Sequence, residues 1–295
     1  MTALLSAPAA RHCQTWHWQD YAINYTVEGQ GQPLVLLHGF GASIGHWRKN
    51  IPVWAAAGYQ VFALDLLGFG ASDKPDRIYT MELWRDLVQD FWREKIDRPA
   101  VFVGNSIGGL LALMLLTDAP EMASGGVLLN PAGGLSHRPE ELNPVLSLVL
   151  QTFAKVAALP VLGPFLFNQV RQPKRIRNSL RQVYCNPEPI TDELVEILYR
   201  PSCDPGAQQV FAAIIGADPG PTTEGLLAKL DRPLLVLWGD ADPWTPIGGS
   251  KPYRDLMETK AIELIPIPQT GHCPHDENPE AVNPQVLDWL CQQGL

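Results

Sequence analysis

Residues 101–111 read "VFVGNSIGGLL". An unbroken apolar run stops at Gly104, passes through Asn105 and Ser106, and resumes after Gly108 and Gly109. A run without alternation suits a strand buried on both faces, as in a mostly parallel sheet. The segment that follows, "IGGLLALMLLTDAP", suits a buried helix whose N-terminus faces the serine. The pentapeptide "GNSIG" fits G-x-S-x-G. In that motif a serine stands on a sharp strand-to-helix turn, and small neighbours let the backbone fold tightly around it. The plainer reading is a glycine-rich turn that happens to carry a polar residue.

Working outward, five more runs look like buried strands: "PLVLLHG", "YQVFALDL", "GGVLLNP", "PLLVLWGD" and "AIELIPIP". The opening "TWHWQDYAINYTVEGQGQP" alternates and ends in glycines, as a two-strand antiparallel ribbon does. Between the runs lie helical patterns. In "MELWRDLVQDFWREKI", Leu83, Leu87 and Phe91 share a face with Trp84, Val88 and Trp92, and the charged residues lie mostly opposite. Strand–helix alternation of this kind predicts a doubly wound, mostly parallel α/β sheet of about eight strands.

The alternation breaks between Leu135 and Lys229, where the chain is helical and proline-punctuated. Residues 1–134 and 230–295 therefore read as the α/β core, and 135–229 as a helical cap inserted after the strand "GGVLLNP". Within the cap, the helix from Val145 to Leu159 confines its polar residues to one narrow stripe of Ser147, Gln151, Thr152 and Lys155. A helix greasy over most of its circumference is buried, covers an apolar cavity or touches a membrane.

The chain has 295 residues and a formal net charge of -9. Without a basic tract of nucleic-acid type it offers no phosphate-neutralising patch, and an overall acidic balance argues against simple electrostatic docking on anionic lipid. The five cysteines are odd in number, scattered, and form no C-x-x-C, which argues against a disulfide framework or a zinc site. A reduced, intracellular compartment is expected. The start shows no secretory pattern, and no apolar run reaches the ~18 residues of a membrane span.

Two later loops bear on the serine. "VLWGDADPWTP" places acids after one strand, and "QTGHCPHDENP" places histidines after the last. Acyl transfer needs a nucleophile, a base for its proton and an anion to orient that base, and open α/β sheets gather their sites at the C-terminal ends of strands. Spacing alone does not choose between Asp240 and Asp242, nor between His272 and His275. The loop "LLHGFGAS" lies after the first parallel strand. The backbone N–H groups of Phe40 and of Ile107 could both point at a developing oxyanion. His38 reads as a brace for that loop, and Cys273 as a packing residue. His12, His17, His46 and His137 lack metal-ligand spacing and read as surface or capping groups. No metal or cofactor is called for, and no dinucleotide fingerprint is present.

The segments "HGFGAS", "DLLGFGASDKP", "GNSIGG", "LWGDADPWTP" and "GHCPHDENP" together resemble the α/β-hydrolase superfamily across nearly the whole chain. Serine, acid, then histidine is also its chain order. The last two segments, with the apolar cap, look most like pheophytinases and chlorophyll dephytylases. In the superfamily the acid is the fourth residue of G-x-x-D and the base the histidine of G-H. Matched here, these are Asp242 and His272, with Ser106 as nucleophile. The resemblance implies hydrolysis of the phytyl ester of chlorophyll or pheophytin. The expected location is intracellular, cytoplasmic or peripheral to photosynthetic membranes, and peripheral membrane contact is one reading of the greasy cap. Phe153, Phe165 and Phe167 would line the apolar site. Other readings are a carboxylesterase or C–C bond hydrolase acting on smaller apolar substrates, and a receptor of the same fold that binds without turnover.

Overall fold

The computed structural model of the protein describes residues 13–136, 159 and 162–295. Its strands are β1 (Cys13–Trp18), β2 (Tyr21–Glu28), β3 (Pro33–Leu37), β4 (Gln60–Leu64), β5 (Ala100–Asn105), β6 (Ala123–Leu129), β7 (Leu234–Gly239) and β8 (Ile262–Ile267). Its helices are α1 (Ile51–Ala56), α2 (Met81–Lys95), α3 (Ile107–Asp118), α4 (Leu162–Val170), α5 (Pro173–Val183), α6 (Asp192–Tyr199), α7 (Ala207–Ile215), α8 (Thr223–Lys229), α9 (Lys251–Arg254), α10 (Pro274–Glu277) and α11 (Pro279–Gln292).

The strands form one sheet in the order β1-β2-β4-β3-β5-β6-β7-β8. β1 and β2 make the antiparallel ribbon, β2 joins β4 antiparallel, and every pair from β4 through β8 is parallel. The central strands are almost wholly apolar, β3 and β7 at every position, because both faces of the sheet are covered. Along β5, Phe102 enters a core shared with Trp84 and Leu110, while Val101 and Val103 enter the opposite core with Trp54 and Trp289. Helices α2, α3 and α8 thus cover one face, and α1 and α11 the other.

Because β4 pairs with one edge of β3 and β5 with the other, the winding reverses beside β3. The crevice outside the carboxyl ends at such a reversal is where open α/β sheets bind ligands. β5, with Ser106 at its end, stands there.

Between β6 and β7 the described residues form helices and no strand. Leu180, Val183, Tyr184, Ile190, Leu194 and Val195 build a third apolar cluster together with Cys273 of the core. α8 packs with the sheet core through Leu226 and Leu227, and Val210 and Ile214 of α7 join the same core. Phe153 and the stripe of Ser147, Gln151, Thr152 and Lys155 lie outside the described residues. Among the described residues no helix is long and apolar enough to cross a membrane.

Candidate active site

Ser106 joins β5 to α3 with φ 56° and ψ -121°. A non-glycine residue at such dihedrals stores about 1–3 kcal/mol of strain and persists only where its surroundings enforce it. Here they do. Ser106 N–H donates to Leu129 O at 3.1 Å, which ties the turn to β6. The glycines beside it make the close approach. A Cβ on Gly104 would stand 2.0 Å from Gly108 O, and one on Gly108 would stand 2.1 Å from Leu37 O. Substituting either forces the helix off the sheet.

The carboxylate behind His272 belongs to Asp242. Its Oδ2 lies 2.6 Å from His272 Nδ1. Asn130 Nδ2 donates to the same oxygen at 2.8 Å, and the Thr245 hydroxyl donates to it closely. Oδ1 accepts the N–H groups of Trp244 at 2.7 Å and Thr245 at 3.1 Å. Burial alone would push this carboxyl up. The hydrogen bonds and charge interaction with His272, with Thr245 and the Trp244 N–H, outweigh burial and hold it below its ordinary value. With Nδ1–H donating to Asp242, Nε2 of the neutral His272 ring is left as the acceptor. Asp240 is exposed and accepts the N–H of Gln269 at 2.8 Å.

His275 is fully buried on the other side of its loop, 4.2 Å from the Trp47 ring and 4.7 Å from His46. His46 corrects an expectation, since it is buried rather than at the surface. The short turn Ile44–Trp47 folds it beneath Tyr184, at the end of α5. Tyr184 spends its one proton on Asp276 Oδ2 at 2.8 Å, so His46 Nε2–H is the donor to Tyr184 Oη at 2.9 Å. Arg48 pairs with the same aspartate at 2.7 Å.

Both rings are held uncharged. Burial draws His46 down to about 4, against the pull of Asp276. Burial, then His46 and Arg48, draws His275 well below its usual value. In the unfolded chain imidazole takes its proton near pH 6.5. Between there and about pH 4 the unfolded state binds more protons, so stability falls as pH falls. His46 alone accounts for about 3 kcal/mol across that window. Urea midpoints should drop steadily from pH 7 to 4.5, and His46→Gln should flatten part of that slope. A midpoint independent of pH would mean that these rings take up their protons in the fold as readily as in the unfolded chain.

His38 acts as the brace expected of it. Leu66 N–H donates to Nε2 at 3.0 Å, so the proton sits on Nδ1 and goes to Gly39 O at 2.8 Å. Ala42 N–H also reaches Gly39 O, at 3.2 Å. In a planar trans peptide the next N–H points the opposite way, so these bonds to Gly39 O set the direction of the Phe40 N–H. The Cβ position of Gly39 is 3.3 Å from Ser106 Cβ, which brings this loop against the serine. Ile107 opens α3, where the first N–H groups have no partner within the helix.

Several positioning residues carry no motif of their own. Asn105 Nδ2 donates to Leu129 O and to His272 O, at 3.0 and 2.9 Å, and so ties the serine turn to the histidine loop. Asn130, at φ 42°, accepts Gly239 N–H and donates to Asp242. Glu277 joins the core to the segment after α5, accepting Gly271 N–H at 2.8 Å and Asn186 N–H at 2.7 Å. His272 N–H itself donates to Val183 O, the last residue of α5, at 2.8 Å. The weak signal for Asn105 and Asn130 was position, a polar side chain at the end of a buried strand, while Glu277, in α10, carried none.

Ser106, His272 and Trp244 open onto one cavity of about 370 Å³. Phe40, Phe69, Phe167 and Phe211 line it, with Phe167 and Phe211 packed at 5.2 Å. Phe165 does not; its side chain is 60% exposed. Two residues apart on a helix lie about 200° apart around the axis, so only one of Phe165 and Phe167 can face the core. Cys273 lies in the wall and behaves as packing. Burial, then the carboxylates of Asp276 and Asp242, pushes its thiol well above the ordinary range. Among the described residues no group of three or more His, Cys, Asp or Glu side chains could hold a metal ion.

The fold and this arrangement are those of a hydrolase. The model of the Alpha/beta hydrolase family matches residues 34–285, and the chain belongs to that family. It is 29% identical over 302 residues to the chloroplastic pheophytinase of Arabidopsis thaliana, across 88% of this chain and 61% of that protein. The chain thus spans about three fifths of that relative. It is 27% identical to 2-hydroxy-6-oxo-6-(2'-aminophenyl)hexa-2,4-dienoic acid hydrolase of Metapseudomonas resinovorans, across 92% of this chain and 88% of the relative. Among solved structures, a serine hydrolase involved in carbazole degradation superposes with a TM-score of 0.77 at 24% identity, covering 96% of this chain and 100% of that one.

Proposed function

We propose that this hydrolase cleaves the phytyl ester of chlorophyll or pheophytin, with Ser106 as nucleophile, His272 as base and Asp242 as the acid that orients it. The observation that carries the reading is the strained Ser106 turn opening onto the same apolar cavity as the His272–Asp242 pair. Ser106 Oγ gives its proton to His272 Nε2 and attacks the ester carbonyl. Asp242 holds the imidazole in the required tautomer and stabilises the imidazolium. The N–H groups of Phe40 and Ile107 receive the developing oxyanion. The imidazolium then protonates the leaving alcohol, phytol, and water activated by the same ring releases the acid.

The helical segment between β6 and β7 works as a cap, and its cavity suits the alcohol better than the ring. A flexible isoprenoid chain can enter a narrow apolar cleft, whereas a tetrapyrrole remains at the mouth. There Trp244, 56% exposed and 5.6 Å from His272, offers a stacking face. Similarity to a pheophytinase supports this choice of ester. Incubation with pheophytin a, chlorophyll a and p-nitrophenyl acetate, with products resolved by chromatography, tests it. Free phytol is the expected product. Phe211→Ser should raise KM for phytyl esters by about tenfold, the scale of one lost aromatic contact, and spare the acetate. Equal losses on both would make Phe211 structural only.

A second reading is favoured by Arg171, whose side chain reaches the cavity wall. A guanidinium there suits a substrate carboxylate, as in the dienoic acid named for the Metapseudomonas relative. Cleavage of such a dienoate, lost in Arg171→Met and without phytol release from pigments, would select C–C hydrolysis instead.

A further inference from the structure

The charges of this chain are strongly segregated. Between Glu141 and Glu188 there is no acid, yet there are six cations: Lys155, Arg171, Lys174, Arg175, Arg177 and Arg181. The rest of the chain holds the other 16 cations and all 31 acids. The overall charge of -9 therefore hides a basic face on an otherwise acidic molecule.

Helix α5 displays that face. Its apolar residues Leu180 and Val183 are buried, and Lys174, Arg175 and Arg181 are exposed. The neighbouring α4 does something different with its outer side. Gly163 and Phe167 turn inward, while Leu162 and Phe165 stand 49% and 60% exposed. Leu159, just before it, is also exposed at 45%. Val170 and Arg171 join the two helices, and both line the cavity that holds Ser106. An apolar helix face, a cationic helix face and the mouth of the site are thus continuous.

Exposed leucine and phenylalanine beside the exposed cations Lys174, Arg175 and Arg181 match an anionic lipid interface, whereas Arg177 is paired with Asp192 of α6. Apolar side chains enter the acyl boundary, and ammonium and guanidinium groups meet the headgroups. A nucleic acid would use the cations but gain nothing from aliphatic side chains. We propose that the face formed by α4 and α5 docks on an anionic lipid surface and holds the mouth of the cavity against it. A substrate dissolved in the bilayer then reaches Ser106 without crossing water. This last step rests on the phytyl-ester reading; the docking does not.

Flotation of the full chain with vesicles, without substrate, separates the two. The protein is expected to float with phosphatidylcholine vesicles containing phosphatidylglycerol, to float poorly with pure phosphatidylcholine, and to be partly released by high salt. The triple variant Lys174→Glu, Arg175→Glu, Arg181→Glu should lower partitioning by ~100-fold or more, and Leu162→Asp should lower it as well. Both should keep the wild-type rate on dissolved p-nitrophenyl acetate, which reports an intact fold. No flotation with anionic vesicles, equal flotation with neutral ones, or variants that float like the wild type would overturn the docking. Flotation as expected without phytol release would leave the docking standing and remove only the ester.

Discussion

Ser106→Ala is expected to abolish hydrolysis of p-nitrophenyl and phytyl esters, by on the order of 10⁴-fold or more in kcat, while the protein still folds. Cys273 is no substitute nucleophile, because its buried thiol is pushed away from the thiolate form. Alanine also removes nothing that holds the turn together. The bond that ties it to β6 comes from the backbone N–H of Ser106, and the side chain makes no helix cap. The thermal midpoint should therefore stay close to that of the wild type. Labelling by a fluorophosphonate, present in the wild type and absent in the variant, identifies the attacking oxygen. Turnover in Ser106→Ala near the wild-type rate would refute the acyl-enzyme altogether.

The second large effect separates two aspartates two residues apart. Asp242→Asn should lower kcat by ~10⁴-fold, because an amide facing Nδ1 no longer fixes the tautomer that leaves Nε2 free to take a proton. Asp240→Asn should change kcat by no more than a few fold, since that side chain serves only the Gln269 N–H at the surface. The histidines divide in the same way. His272→Ala should cost as much as Asp242→Asn, whereas His275→Ala should act on stability through the space left beside Trp47. Comparing kcat per folded molecule with urea midpoints for the four variants distinguishes the two kinds of loss. A greater loss of kcat in Asp240→Asn would move the orienting role to that residue.

Much of the architecture is legible in the chain because its causes are local. β5 reads as a two-sided strand from its unbroken apolar run, and the turn after it from glycines whose places admit no Cβ. The ribbon of β1 and β2 reads from alternation, and α2 from the 3.6-residue spacing of Trp84, Leu87, Val88 and Phe91. What failed to read depends on how distant segments meet. His46 looks like a surface residue until Tyr184, 138 positions away, lies over it. Phe165 and Phe167 are equally apolar, and only the docking of α4 decides which one turns inward.

The same division runs through the site. A mostly parallel α/β sheet, a serine on a glycine-flanked turn, and loops carrying the acids and histidines are legible because strand burial, turn chemistry and motif spacing are properties of neighbouring residues; the superfamily itself came from resemblance. That Asn105, Asn130 and Glu277 lock the loops together and that an apolar cavity opens at Ser106 emerge only in the folded chain; there too Asp242, which spacing left open against Asp240 and resemblance favoured, meets its imidazole. Those outcomes depend on hydrogen bonds and packing between segments up to 167 residues apart, whose geometry is set by the register of the parallel strands beneath them.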